Sequence, residues 1–244
     1  IRHAITKMSH IHFPATQEYA ERIIGMGEES WRVNVSGAPG VDSMVATSPM
    51  GLSDFAKTYD IDPQQPFLLV TYHPVTLEYE DTELQVKAVL SALEQSNLQM
   101  IITFPNADTS GRKVLRLLES FVETHSNARL LRSMGLIGYA SAMRHAAAMV
   151  GNSSSGIIEA ASFELPVVNV GNRQRGRTKP INVIDVGYSV NEILKGIQQA
   201  VSPHFRKGLK GISNPYGSGN AGRKIVGTLR SIPLDQRLIA KVAA

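Results

Sequence analysis

From Phe67 onward the chain alternates short apolar runs with stretches of helical periodicity, and this alternation limits the fold more than any other feature. Phe67-Leu68-Leu69-Val70-Thr71-Tyr72 is a continuous apolar run, the pattern of a parallel strand buried on both faces. Residues 82–95 then carry helical spacing, and the cycle repeats. Strands are expected at Met100-Ile101-Ile102-Thr103-Phe104, Ala128-Arg129-Leu130-Leu131, Met149-Val150-Gly151, 166–170 and 182–186. Helices are expected over 111–125, 139–147, 155–163 and 190–200, with a final one over 221–231. Strand and helix alternating through short connections give an α/β fold, a parallel sheet with helices on both faces, because parallel neighbours need right-handed crossovers. The first part of the chain is less regular. Residues 1–10 have helical spacing, His10-Ile11-His12-Phe13 and residues 31–36 read as strands, Thr16 caps a helix over 17–26, and Gly37-Ala38-Pro39-Gly40-Val41-Asp42 reads as a turn.

Composition removes several chemistries. With 43% hydrophobic and 19% charged residues the chain can bury a core, so disorder is excluded. It has no cysteine, which excludes disulfides, thiolate catalysis and cysteine-held zinc or iron–sulfur groups. No run approaches the roughly 20 apolar residues of a membrane span, and the opening Ile1-Arg2-His3-Ala4 lacks a signal-peptide core, so a cytoplasmic chain is expected. The charge is uneven: from Arg173 onward there are 13 Lys and Arg against 3 Asp and Glu, and before it 12 against 18. The basic part has no aromatic interleaving and no nucleic-acid motif, so a small anionic ligand or an acidic neighbour fits better than nucleic acid.

In a parallel α/β sheet, ligands bind beyond the carboxyl ends of the strands. His73-Pro74-Val75-Thr76 follows the first strand of the series, where an imidazole can serve as acid or phosphate donor or be purely structural. Pro105-Asn106-Ala107-Asp108 follows the second, either as rim or as helix cap. Gly151-Asn152-Ser153-Ser154-Ser155-Gly156-Ile157-Ile158-Glu159 follows the fourth. Its small residues, hydroxyls and helix-start N–H groups suit a phosphate, without the lysine of a nucleoside triphosphatase or the spacing of a dinucleotide fold. Glu159 there would repel phosphate but can accept from two vicinal ribose hydroxyls; a solvated Glu behind a Ser-rich cap is the alternative. Gly171-Asn172-Arg173-Gln174-Arg175-Gly176-Arg177 follows the fifth, as a solvated charge run or an anion clamp. His10 and His12 share a strand face without an adjacent carboxylate, which argues against a metal pair.

These segments together, with Ile1-Arg2-His3-Ala4-Ile5-Thr6-Lys7 at the start and Asn214-Pro215-Tyr216-Gly217-x-Gly219 near the end, resemble the hydrolysing UDP-N-acetylglucosamine 2-epimerases along essentially the whole chain. The resemblance implies a glycosyltransferase-B-like fold: a Rossmann-like parallel-sheet domain plus the remnant of a second Rossmann-like domain. It implies a UDP-sugar ligand, no cofactor or metal, and elimination of UDP followed by hydration to N-acetylmannosamine, a sialic acid precursor. By the same analogy His73 is catalytic at the diphosphate or sugar, Ser153 and Ser154 contact the diphosphate, Glu159 the ribose and Arg173 the phosphate or nucleoside. Asn106 forms the cleft wall and the backbone near Met134 meets the uracil. A homo-oligomer is expected.

The family's early basic residues and its proton-transferring carboxylates have no counterpart after Ile1. Residues 1–48 are therefore expected to be the tail of an incomplete N-terminal domain, 49–213 the UDP-binding domain, and 214–244 a terminal helix returning toward the first domain. The chain as it stands is expected to be weakly active or inactive. Alternatives are an epimerase acting on another UDP-sugar, such as a 2,4-diacetamido-trideoxyhexose, a non-hydrolysing 2-epimerase, or a UDP-sugar-binding domain without catalysis.

Overall fold

A computed structural model of the chain describes residues 1–106 and 110–242. It divides into two compact units, one made of Ile1–Ala46 with Ser213–Ala244 and the other of Thr47–Ile212.

The 47–212 unit is built on six parallel strands: β1 (Phe67–Thr71), β2 (Gln99–Thr103), β3 (Ala128–Leu131), β4 (Ala148–Gly151), β5 (Val167–Val170) and β6 (Val183–Val186). Their order is β3-β2-β1-β4-β5-β6, with Leu69 of β1 in register with Ile101 on one side and Met149 on the other. The central strands read as unbroken apolar runs because both of their faces are covered. Leu68 and Val70 point into a cluster with Val86, Val89, Leu93, Ile193 and Ile197 from the helices Thr82–Ser96 and Val190–Val201. Phe67 and Leu69 point the other way, and Phe67 stacks on Phe55 of the helix Leu52–Tyr59 at 5.5 Å between centroids. Each such side chain contributes about 1.5–3 kcal/mol through burial.

The helix ends follow local chemistry. Ser189 accepts from the Glu192 N–H at 3.2 Å to start Val190–Val201. Ser202 accepts from the Phe205 N–H at 3.3 Å, and Pro203, which has no N–H to leave unsatisfied, opens the short helix Pro203–Gly208. Two expected helices differ in extent. The one expected from Tyr139 starts at Gly135 and ends at His145. The one expected over 155–163 is an α-turn, Ser154–Ile158, followed by a 3-10 turn, Ala160–Phe163.

The other unit departs further from expectation. The strands expected at His10-Ile11-His12-Phe13 and 31–36 reduce to one parallel bridge between His12 and Val33. Pro14 accepts from the Ser36 N–H at 3.1 Å but has no N–H to return, and residues Ser30–Arg32 wind into a 3-10 turn. The expected turn at Gly37 to Asp42 runs instead into the helix Pro39–Ala46. From that helix the Asp42 carboxylate accepts from the N–H groups of Ala221 and Gly222, at 2.9 and 2.7 Å, and so caps the helix Ala221–Ser231.

His12 does have a carboxylate beside it, contrary to the reading from spacing. Its Nε2 lies 3.0 Å from Glu28, whose fully buried side chain also meets Lys7 at 3.2 Å and Lys241 at 2.6 Å. The Lys241 ammonium donates further to the carbonyls of Lys7 and Ser9, at 3.0 and 2.8 Å. Burial alone would raise the Glu28 pKa, yet the hydrogen bonds from Lys241, His12 and Lys7 outweigh it and hold the group at about 2, against an ordinary 4.5. A carboxyl whose pKa is lowered by folding adds stability that is complete above its unfolded value and is lost as pH falls through the folded one. Acid should therefore weaken this unit between about pH 4.5 and 2. Glu28→Gln should flatten that slope in denaturant titrations taken across the window; parallel slopes for the two proteins would contradict the assignment.

Candidate functional site

The strand order reverses between β1 and β4: the chain leaves β1 toward β2 and β3, and leaves β4 toward β5 and β6. Diverging connections leave a crevice beyond the carboxyl ends of those two strands. At the last paired position, Thr71 with Gly151, the glycine has a φ of +135° and a Cβ there would lie 2.0 Å from the Thr71 carbonyl oxygen. Only glycine fits there.

Asn152, with no exposed surface, turns this junction into a fixed frame. Its Oδ1 accepts from the His73 N–H at 2.7 Å and its Nδ2 donates to the His73 carbonyl at 2.8 Å, so the carboxamide adds one more rung beyond the sheet. Its own carbonyl accepts from Arg173 Nη1 at 3.1 Å and from Gln174 Nε2 at 2.7 Å. One buried residue thus anchors the segments after β1 and β5. The His73 ring is oriented in turn by the Asn106 N–H, which donates to Nδ1 at 3.0 Å. That bond assigns the proton of the neutral imidazole to Nε2, the arrangement of a hydrogen-bond donor or acid.

Ser153 is 8% exposed and accepts from the Ser155 N–H at 3.3 Å, and Ser154 begins the helical turn. Glu159 ends it, with Oε2 buried and unpaired among the described residues. Burial raises its pKa, opposed by Ser155 and by the charge of Arg177. Because folding raises this pKa, the folded chain binds the proton more tightly and loses stability as pH rises above the ordinary value of 4.5. Glu159→Gln should therefore be more stable than the parent at neutral pH and equal to it in acid, as read by chemical denaturation at pH ~4 and ~7.5; the opposite trend would contradict this environment.

The structure brings His73, Asn106, Ser153, Ser154, Glu159 and Arg173 to the ends of β2, β1, β4 and β5. Met134 stands apart, after β3, two strands from β1, where its carbonyl accepts from the Tyr59 hydroxyl at 3.5 Å. Ala107 and Asp108 lie outside the described residues. Two participants were not singled out from sequence. In the sequence Asn152 is one residue of the Gly151 to Glu159 motif, with nothing that sets it apart. Tyr139 places its phenol beside Ser155, Thr71 and Ser153 and near Glu159, and its burial raises its pKa. A cleft of about 480 Å³ opens between Pro74–Glu78 and the segment holding Asn172, Arg173 and Arg175. A larger groove of about 760 Å³ lies on the outer side, between β6 and the helix Val190–Val201, and is not lined by His73, Ser153 or Glu159.

The family model described as UDP-N-acetylglucosamine 2-epimerase matches residues 1–230. The chain belongs to that family. Among similar family members, the UDP-N,N'-diacetylbacillosamine 2-epimerase (hydrolyzing) of Legionella pneumophila is 36% identical over 244 residues, which are 100% of this chain and 63% of that protein. The GDP/UDP-N,N'-diacetylbacillosamine 2-epimerase (hydrolyzing) of Campylobacter jejuni is 35% identical over 238 residues, 96% of this chain and 62% of its own length. The chain thus spans less than two thirds of these relatives. Among solved structures, the UDP-GlcNAc 2-epimerase from Neisseria meningitidis bound to UDP-GlcNAc superimposes with a TM-score of 0.76 at 20% identity, covering 93% of this chain and 63% of that one. The fold is accordingly the α/β, glycosyltransferase-B-like fold of the family's 2-epimerases. Among the described residues no helix is long and apolar enough to cross a membrane.

Proposed function

We propose that the chain carries the nucleotide-binding part of a hydrolysing UDP-sugar 2-epimerase, with the 47–212 unit as the UDP-binding domain. The observation that carries this reading is the Asn152 frame, which fixes His73 and Arg173 at the strand-order reversal beside the Ser153–Ser154 turn. In this reading Arg173 and the two serines receive the diphosphate, and Glu159 accepts from the ribose hydroxyls with its unpaired Oε2. The His73 Nε2–H faces the leaving diphosphate or the sugar, with Asn106 holding the ring and the Met134 backbone meeting the uracil. The chemistry breaks the C1–O bond to UDP while a base removes the proton at C2, giving a glycal to which water adds. A donor such as His73 and a guanidinium such as Arg173 stabilise the negative charge that builds on departing UDP.

The sugar favoured by the relatives is a diacetamido-trideoxyhexose of the bacillosamine type. The second reading is UDP-N-acetylglucosamine, supported by a relative from Neisseria meningitidis named UDP-N-acetylglucosamine 2-epimerase, 32% identical over 202 residues. Displacement of UDP from the chain by each sugar nucleotide separates them. UDP-N,N'-diacetylbacillosamine should compete more strongly than UDP-N-acetylglucosamine. The reverse order favours the second reading, and no displacement by either contradicts a UDP-sugar site.

A further inference from the structure

Above the buried Asn152 frame lies a second connection. Glu78 sits in the 3-10 turn Thr76–Asp81, five residues beyond His73. Its Oε2 accepts from the Tyr188 hydroxyl at 2.5 Å and from Gln85 Nε2 at 2.8 Å, and its Oε1 accepts from Asn172 Nδ2 at 3.4 Å. The Asn172 N–H donates to the Tyr188 hydroxyl at 3.3 Å, and Gln85 is itself fixed by the buried Tyr72 hydroxyl at 2.9 Å. One carboxylate therefore ties together the segments leaving β1, β5 and β6. The reach is considerable, since β4 lies between β1 and β5 and adjacent strands are about 4.8 Å apart.

The Tyr188 ring is wedged in place from the other side. Gly171, at φ +73°, would carry a Cβ only 2.2 Å from the ring carbons, so the arginine loop can turn there only over a bare glycine. Tyr188 thus packs on the first residue of the loop while its hydroxyl holds the carboxylate of the opposite segment. Both Glu78 and Asn172 line the 480 Å³ cleft together with Arg173.

We propose that Glu78 is a positioning residue, a carboxylate bolt that works through Tyr188 and Asn172 to hold the arginine loop against the His73 segment so that Arg173 and His73 address one diphosphate. The proposal rests on the UDP-site reading above. The bonds agree with the direction of the local acidities. The Tyr188 hydroxyl bond is the main cause that lowers the Glu78 pKa, while burial and the adjoining carboxylate push the Tyr188 phenol up to about 12. The bolt is therefore ionised on one side and protonated on the other across the neutral range.

The test is calorimetric titration of the chain with UDP, for the parent, Glu78→Ala, Tyr188→Phe, the double variant, and Glu78→Gln combined with Asn172→Asp, each with its thermal melt. Tyr188→Phe keeps the ring over Gly171 and removes only the hydroxyl. Each single variant should weaken UDP binding about tenfold, and the double variant no more than the worse single, because both cut one linkage. Glu78→Gln with Asn172→Asp moves the carboxylate to the other end of the same bond and should recover most of the affinity, which a loss of packing alone would not allow. Parent-like UDP affinity in folded Glu78→Ala or Tyr188→Phe, or additive losses, overturns the bolt while leaving the UDP site standing. A parent chain that does not bind UDP overturns both.

Discussion

Gly151→Ala is expected to cost the 47–212 unit about 3–5 kcal/mol, a large part of the stability of an ordinary domain. Two penalties coincide at this position. Alanine is strained at a φ of +135°, and its methyl carbon would lie 2.0 Å from the carbonyl oxygen and 2.7 Å from the carbonyl carbon of Thr71. The obstacle is backbone in the central strand, so no side-chain rotation relieves it, and parting β4 from β1 would break the parallel ladder that joins Thr71 to Gly151. The one tryptophan, Trp31, lies in the other unit, so the loss should be followed by far-ultraviolet circular dichroism in urea rather than by tryptophan fluorescence. A variant within about 1 kcal/mol of the parent would mean that the two strand ends are not held this closely.

Asn152→Ala is expected to be nearly as damaging to the fold and more damaging to ligand binding. It removes both side-chain bonds to His73 and strips the His73 N–H and carbonyl of those partners, which costs about 2–4 kcal/mol. The backbone carbonyl that receives Arg173 and Gln174 loses its fixed position at the same time. UDP affinity should fall by about a hundredfold or more, since the segments after β1 and β5 are no longer held to one another at this level. Asn152→Asp should not rescue it, because a carboxylate can accept from the His73 N–H but cannot donate to the His73 carbonyl. Unchanged UDP affinity in a folded Asn152→Ala chain would show that the frame does not organise the site.

What could be read from sequence follows the range of the interactions involved. Phe67 to Tyr72 announces β1 because burial on both faces imposes an unbroken apolar run, and the Gly151 to Glu159 segment announces a strand end, a tight approach and a hydroxyl-rich turn within nine residues. That ligands sit beyond the carboxyl ends of the strands follows from the rule for parallel α/β sheets, but the order β3-β2-β1-β4-β5-β6, and with it the place of the reversal, has no signal in the sequence pattern. The pairing of His12 with Glu28 could not be read, because a buried ion cluster assembled from Lys7, His12, Glu28 and Lys241 has no local period. Nor could the partnership of Asn152 with His73, 79 residues apart, or of Glu78 with Tyr188, 110 residues apart. In the last two cases an ordinary polar residue gains its role from the crossover topology. The helix Leu52–Tyr59 escaped for a simpler reason: two turns give too short a period to stand out, although Phe55 and Ala56 are buried.

The central claim is that UDP binds at the β1–β4 junction with its ribose on Glu159. It is tested most directly by titrating UDP into the chain and into Glu159→Ala at neutral pH, with a thermal melt of each protein. One UDP per chain and at least about a tenfold weaker affinity in Glu159→Ala are expected, with folding retained. A folded parent chain that gives no heat with UDP, or a Glu159→Ala chain that binds it as tightly as the parent, would contradict it.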